Sequence, residues 1–252
     1  MNAVVMAWAE EQTDRLARCL SSITDASVRI TYLRHTLLEL TVDQVVELLV
    51  VAHAYAETRS ARHRALLGSL SLALAHPSCE GLRRQAAALL MAREERQLAR
   101  SLSDSPGPLT EEAQRVPDFG MGRPVTLGER KSLARRNDRD WIARVIRDPH
   151  PDVMKILLLN PRLTETDVVR LCARRPVAGD VLREVFRCSR WIVRYPVKVA
   201  IALNPYTPLD IALQLAPLLR DQDKKRILDA VDLPAELRDA CKPRSRHPDA
   251  LH

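Results

Sequence analysis

An Asn-Pro dipeptide interrupts two similar apolar stretches of the chain, and this feature constrains the fold more than any other. The stretches are LLLNPRLTETDVVRL at 157–171 and IALNPYTPLDIALQL at 201–215, so that Asn160 and Asn204 lie 44 residues apart. Proline disfavours the helical conformation in the residue before it, so a helix should end near each Asn. Asn also tolerates the left-handed C-cap conformation and can cap exposed carbonyls. Each Asn-Pro is therefore predicted to be a hinge between consecutive packed helices.

The residues after Pro161 and Pro205 carry signals for the start of the next helix. Thr164 with Asp167 three residues later supplies an N-cap signal in the first stretch. In the second stretch Thr207 stands before a proline, which is favoured in the first turn of a helix. The apolar residues on both sides share one register, and a period of about 20 to 50 residues is typical of an α-solenoid. We therefore interpret the two stretches as units of a structural repeat.

The composition favours helices throughout the chain. Aromatic residues make up 4% of the 252 residues and Gly occurs 7 times, whereas Leu, Ala and Arg are frequent, which predicts an all-α fold. The 16 Pro residues favour many short helices over a few long ones. Near the N-terminus, Thr41 and Gln44 form a capping-box pattern that predicts a helix start.

Changes of pattern divide the chain into four parts. Residues 1–103 show helical periodicity and are predicted to form a bundle-like helical region. Residues 104–126 are rich in Pro and Gly without an apolar period, which predicts a flexible linker. Residues 127–242 alternate short apolar segments with Pro, Asn or Asp, which indicates short helices that must stack as an α-solenoid. Residues 243–252 are polar and predicted to be a disordered tail.

The repeat region resembles a known family. ALNPYTPLDIALQLA and LLLNPRLTETDVVRLCARRP are similar to leucine-rich repeat variant and HEAT-like repeats, in which NPxTP precedes an apolar helix. The resemblance covers about 127–241, with DPHPDVMKILL and VDLPAELRDAC as partial matches. Repeats of that family are about half as long as the spacing here, which implies an intervening unit at RRPVAGDVLREVF. Some members carry an N-terminal iron-sulfur segment, but this chain lacks the cysteine cluster for it, so the resemblance implies no cofactor here.

The charge is concentrated in the second half of the chain. Residues 1–126 carry 14 basic and 15 acidic groups, whereas residues 127–252 carry 25 basic and 17 acidic groups. Four arginines are spaced so that they would lie on one side of a helix, if a single helix runs through all four, and two more arginines lie nearby. Together the six form a candidate basic interaction face. These residues are Arg174, Arg175, Arg183, Arg187, Arg190 and Arg194. The same charges would also suit the solvated outer faces of amphipathic helices.

Two functions remain open at this stage. The first is a non-enzymatic protein-interaction scaffold, because solenoids expose extended surfaces for a protein partner. The alternative is a HEAT-like protein that binds duplex nucleic acid through the basic face. A catalytic solenoid is a weaker third option, for which the sequence nominates no catalytic residue.

The sequence predicts a cytoplasmic protein without cofactor, metal or membrane span. The N-terminus lacks the basic segment of a signal peptide, and ALLGSLSLALA at 65–75 is about half as long as a membrane span. The five Cys residues are scattered without a CxxC pair, which favours reduced and mostly buried thiols. Phosphate-binding glycine loops, nucleophile elbows and HExxH motifs do not occur in the sequence.

Overall fold

The structure is a computed structural model that describes residues 3–58 and 60–243. In these ranges the chain is all-α, as predicted, with 17 α-helices, two short 3₁₀ helices at Pro77–Cys79 and Ala216–Leu218, and no strand. The α-helices are, in chain order, α1 Ala3–Ser21, α2 Ala26–Glu39, α3 Val42–Thr58, α4 Ala61–Leu74, α5 Glu80–Ala92, α6 Arg96–Leu102, α7 Glu111–Gln114, α8 Leu127–Ala134, α9 Arg139–Val145, α10 Pro151–Leu157, α11 Glu165–Ala173, α12 Gly179–Arg187, α13 Ser189–Ile192, α14 Tyr195–Ala202, α15 Leu209–Leu215, α16 Asp221–Asp229 and α17 Ala235–Cys241.

Helices α1 to α6 form the first unit, which has its own apolar core. Helix α3 packs against α1, α4 and α5, and α2 packs against α4. The predicted capping box at the start of α3 is confirmed, since Thr41 Oγ1 accepts from the Gln44 amide at 3.3 Å and Gln44 Oε1 accepts from the Thr41 amide at 3.0 Å. The side chains at the centre of this core include Leu16, Leu33, Leu37, Leu48, Leu66, Leu70 and Leu90.

Helices α8 to α17 form the second unit, and they are short, as the Pro content predicts. Helix α10 packs against both α8 and α12, while α11 packs against α14. Two of these helices begin with a complete capping box, formed by Thr126 with Glu129 and by Thr164 with Asp167. The packing of neighbouring helices is consistent with a repeat region, but the solenoid itself stays a prediction.

Residues 104–126, predicted as a flexible linker, are mostly exposed and contact the second unit at separate points, among them Ser105, Gly107 and Phe119. They contain α7, and Phe119 and Ala113 are buried. The backbone of Gly107 runs directly against that of Gly179, so close that a Cβ built on either would lie 2.9 Å from the Cα of the other. Because glycine lacks a Cβ, the two backbone segments can approach each other this closely. A search for apolar periodicity in the sequence does not detect such a contact.

The two units also contact each other. Helix α6 packs against α15, and Gln214 Nε2 donates to the Ser101 carbonyl at 2.7 Å. Leu218 contacts the cores of both units. Of the tail predicted to be disordered, 243–252, all but Pro243 lie outside the described residues.

Candidate binding surface and the Asn-Pro hinges

The side chains of Asn160 and Asn204 are buried and make the same set of hydrogen bonds. Asn160 Nδ2 donates to the carbonyls of Ala134 and Arg136 at 3.0 and 2.9 Å, and its Oδ1 accepts from the Arg162 amide at 2.9 Å. These bonds fix the end of α8, which lies two helices earlier in the chain. Each Asn therefore caps carbonyls, as predicted, but the carbonyls belong to a distant helix end.

Asn204 repeats this arrangement at the end of α11. Its Nδ2 donates to the carbonyls of Cys172 and Arg174 at 2.7 and 2.9 Å, and its Oδ1 accepts from the Tyr206 amide at 3.0 Å. As at Asn160, the two carbonyls belong to residues two positions apart, and the amide that donates to Oδ1 lies two positions after the Asn. The two hinges thus share their chemistry as well as their dipeptide.

Two details predicted for the hinges are wrong. Among the described residues Glu94 is the only non-glycine residue with a positive φ, so neither Asn adopts the left-handed conformation. The Thr207 hydroxyl donates to the Ile201 carbonyl at 2.7 Å and does not cap α15, for which Pro208 is the N-cap residue. Thr207 stands one residue before the cap, and Pro208 at the N-cap has no side-chain acceptor, so the start of α15 has no side-chain cap.

A third hinge of related chemistry lies at Asp148-Pro149, which the sequence shows only as a partial match. Asp148 is fully buried, and its Oδ1 accepts from the His150 amide at 2.9 Å, as each hinge Asn does from the residue two positions on. A carboxylate cannot donate to carbonyls, and Asp148 instead accepts two bonds from Arg130 Nη1 at 2.8 and 2.9 Å. The Asp-Pro dipeptide is the signal by which the sequence could have identified it.

The predicted basic stripe does not lie on one helix. Helix α12 ends at Arg187, and Cys188 has an extended conformation before α13 begins at Ser189. Arg183 points inward, with its side chain 15% exposed, and pairs with the buried Asp210 at 2.7 Å. It also donates to the Ser105 carbonyl at 2.7 Å. Arg183 therefore holds α12, α15 and the segment 104–126 together.

The other three arginines of the stripe also have partners within the chain. Arg187 pairs with Glu184 at 3.3 Å, one turn away on the same helix. The guanidinium groups of Arg190 and Arg194 lie 4.5 and 5.4 Å from the centre of the Trp191 ring. Arg194 in addition pairs with Glu165 at 2.6 Å. A single face formed by all six predicted arginines stays a prediction.

Arg174, in contrast, lies in a groove with two arginines that the stripe did not include. This proximal groove, of about 450 Å³, runs between α9 and α11 and is lined by Arg147, Arg170 and Arg174. Arg147 and Arg170 form no ion pair or side-chain hydrogen bond with any described residue. Burial lowers the pKa of Arg174, and the neighbouring Arg147 lowers it further. The groove is thus a concentration of positive charge.

Among the described residues that line the proximal groove, Asp167 is the single carboxylate, and it is already paired. Arg139 holds Asp167 with two bonds, from Nη1 to Oδ2 at 2.7 Å and from Nη2 to Oδ1 at 3.0 Å. The Arg139 bond and those from Thr164 keep the pKa of Asp167 well below its usual range. Asp167 therefore remains charged and paired, and the three arginines that line the groove have no carboxylate to share.

A second groove lies on the other side of α11 and has a mixed lining. This distal groove, of about 840 Å³ between α11, α14 and α16, has an apolar floor that includes Val199, Ala200 and Leu203. Its rim carries three arginines, Arg175, Arg220 and Arg226, and two aspartates, Asp223 and Asp229.

Several groups on the distal rim are fixed in place. Tyr195 Oη donates to Asp223 at 2.6 Å and accepts from the Arg220 amide at 2.8 Å. The Arg220 guanidinium lies 4.5 Å from the centre of the Tyr195 ring. Arg175 pairs with Asp232 at 2.7 Å. Ala173 lines both grooves, so they adjoin along α11.

Comparison of the chain with protein-family models, with curated proteins and with solved structures finds no match. The resemblance to leucine-rich repeat variant and HEAT-like repeats therefore stays a prediction. Within 3–58 and 60–243, none of the helices combines the length and the apolar character that crossing a bilayer requires. The same ranges contain no group of three His, Cys, Asp or Glu side chains arranged to hold a metal ion.

Proposed function

We propose that the chain is a non-enzymatic, cytoplasmic interaction scaffold that binds an acidic, partly apolar segment of a protein partner along the two α11 grooves. The observation that carries the proposal is the set of arginines in the proximal groove, Arg147, Arg170 and Arg174, which have no carboxylate partner among the described residues. Guanidinium groups of this kind recognise carboxylates with directed, charge-assisted hydrogen bonds. The cytoplasmic location rests on the sequence alone.

The distal groove supports a protein partner rather than a nucleic acid. Its floor of Val199, Ala200 and Leu203 can take apolar side chains of a bound segment, which contribute affinity by leaving water. Asp229, which is exposed in this groove, would repel a phosphate backbone but can pair with an occasional Lys or Arg of a peptide. A segment with acidic residues at one end and spaced apolar residues at the other matches both grooves.

A selection of displayed peptides against the chain tests this proposal. The expected outcome is enrichment of acidic peptides with spaced apolar residues. In fluorescence anisotropy, Arg147→Glu/Arg170→Glu should lower the affinity for the selected peptide by about tenfold or more, which corresponds to ~1.4 kcal/mol. Both residues are exposed and unpaired within the described chain, so the fold should survive their reversal.

Arg62→Glu/Arg115→Glu provides the matched control. Both residues are exposed, neither lines an α11 groove, and the change in net charge is the same. This variant should bind the peptide as the unmodified chain does. Equal weakening by both double variants would mean that net charge alone attracts the peptide, and the proposal would then be wrong.

Binding of duplex nucleic acid is the second candidate, favoured by the unpaired arginines of the proximal groove. Phosphate contacts release counterions, so the affinity should fall steeply between about 50 and about 200 mM salt. Anisotropy with a labelled random duplex measures this salt dependence of the affinity. Arg147→Glu/Arg170→Glu should reduce the affinity for the duplex selectively. Arg183 is unsuited to such a test because reversing its charge would break the buried pair with Asp210. If no duplex binds at low salt, this candidate is excluded.

A further inference from the structure

A small cavity that shares no lining residue with the α11 grooves lies between the two units. It has a volume of about 130 Å³, well above the roughly 10–15 Å³ that one water molecule needs. Helices α2 and α4 of the first unit form one side, and α12 to α15 of the second unit form the other. Three basic side chains line it, Arg29 from α2, Arg64 from α4 and Lys198 from α14. The rest of the lining includes Ser69, Ser71, Leu72, Phe186 and Leu218.

The lining of this cavity offers its basic groups no carboxylate among the described residues. The pKa of Lys198 is lowered by burial first and by repulsion from Arg29 second, so these two cations are close enough to oppose each other. Arg29 Nη1 donates to the Ile23 carbonyl at 3.1 Å, but its buried Nε–H has no partner among the described residues.

The acidic residue that interacts with Arg29 is occupied elsewhere. Asp25 is the N-cap of α2, where its Oδ1 accepts from the Ser27 amide at 2.7 Å, from the Ser27 hydroxyl at 2.7 Å and from the Val28 amide at 3.3 Å. Its exposed carboxylate is not part of the cavity lining. Clustered cations that are partly withdrawn from water are unfavourable without a counter-charge.

We propose that this cavity binds a small tetrahedral oxyanion of the phosphate class, held by Arg29, Arg64 and Lys198 from both units. The volume suits a single phosphoryl group, and the three side chains supply charge-assisted donors from different directions. Because the donors come from α2, α4 and α14, the bound anion would join the two units. This site is independent of the function proposed for the α11 grooves.

Thermal unfolding in inorganic phosphate against chloride at matched ionic strength tests the site. An anion that binds only the folded chain raises the melting temperature progressively with its concentration. The full-length chain should show this rise in phosphate and not in chloride. A phosphomonoester such as glycerol 3-phosphate forms a second arm. A larger rise with the ester identifies an organic phosphate as the ligand, and a larger rise with inorganic phosphate identifies the free ion.

Lys198→Met keeps the length of the buried side chain and removes its charge. We expect this variant to melt higher than the unmodified chain in chloride, since the repulsion from Arg29 is gone, and to lose the response to phosphate.

Arg64→Gln changes an exposed residue, so the fold is retained, and should weaken phosphate binding about tenfold by calorimetry. Lys225→Met, an exposed lysine of α16 outside the cavity, is the control and should respond to phosphate fully. A response that is unchanged in both cavity variants, or equal in phosphate and chloride, would overturn the proposal.

Discussion

The first and second units differ in helix length and in the chemistry of what they bury. In the first unit α1 to α5 have 13 to 19 residues and α6 has 7, whereas α8 to α17 in the second unit have 4 to 9. Among the described residues, the first unit buries Thr13, Glu47, Ser69, Ser71 and Ser101, and the second buries Arg130, Asp148, Asn160, Asp167, Asn204, Thr207, Asp210 and Asp223.

The helix lengths explain this difference. The first four N–H groups and the last four C=O groups of any helix lack partners within it, so in a helix of seven or eight residues about half of the backbone groups need outside partners. In the second unit, buried amide and carboxylate side chains supply such partners. The first unit satisfies most of its backbone within long helices and relies on apolar packing. The three predictions that follow test this contrast.

The largest effect is expected from Arg130→Met in the second unit. This change leaves Asp148, which is 0% exposed, without its cation. Removing one partner of a buried pair typically costs about 3–5 kcal/mol. Chemical denaturation should show a loss of that size in the free energy of unfolding.

Arg84→Met in the first unit is the comparison for this change. Arg84 pairs with Glu80 one turn away, and both side chains are largely exposed. Such a pair contributes at most about 0.5 kcal/mol. If the two variants lose the same stability, buried pairs do not distinguish the second unit from the first.

A smaller effect is expected from Asn204→Ala. The substitution removes three hydrogen bonds and leaves the carbonyls of Cys172 and Arg174 without their donor. Each unsatisfied buried group costs roughly 1–3 kcal/mol, so the loss should be about 2 kcal/mol or more in denaturant unfolding. Asn160→Ala should give a matching loss because its bonds are the same in kind.

Asn204→Asp sharpens this test through pH. The Asn and Asp side chains are nearly equal in shape, but an ionised carboxylate cannot donate to the two carbonyls. The variant should therefore be less stable than Asn204→Ala at neutral pH and recover part of its stability in acid, where a protonated carboxyl can donate. A stability of Asn204→Asp equal to that of the unmodified chain at neutral pH would contradict the role given to the amide.

The smallest effect concerns an exposed cap in the second unit. Bonds from Arg123 and then from Thr126 lower the pKa of Glu129 from 4.5 to about 2. Because the folded pKa is lowered, the contribution of Glu129 is present above pH 4.5 and lost as pH falls through about 2. The difference in melting temperature between the unmodified chain and Glu129→Gln should shrink over that window. A difference that stays constant from pH 5 to pH 2 would show that the charge of Glu129 is irrelevant.

Much of the fold could be predicted from the sequence because helix signals are local. Proline positions indicated short helices, and the spacing of Thr164 with Asp167 gave the start of α11. The partners of Asn160 and Asn204 could not be predicted, since the carbonyls they bind lie 24 to 32 residues earlier in the chain. Only the packing of helices brings these groups together.

The candidate site was predictable only in part, for the same physical reason. Helical spacing placed Arg183 and Arg187 on a common stripe, but spacing does not reveal that Asp210 lies opposite Arg183 in the fold. Conversely, Arg170 and Arg174 stand four residues apart at the end of α11, but Arg147 lies 23 residues before Arg170 and is not linked to them by helical spacing. They meet because α9 and α11 enclose one groove.

The bonds of the hinge amides have a consequence for how the second unit opens. Asn160 follows α10 yet closes the end of α8, and Asn204 follows α14 yet closes the end of α11. A helix end that frays must therefore also release a hinge further along the chain. Such bonds make the local opening of helices that are distant in the sequence a shared event. Short segments that would each be unstable alone are in this way made to open and close together.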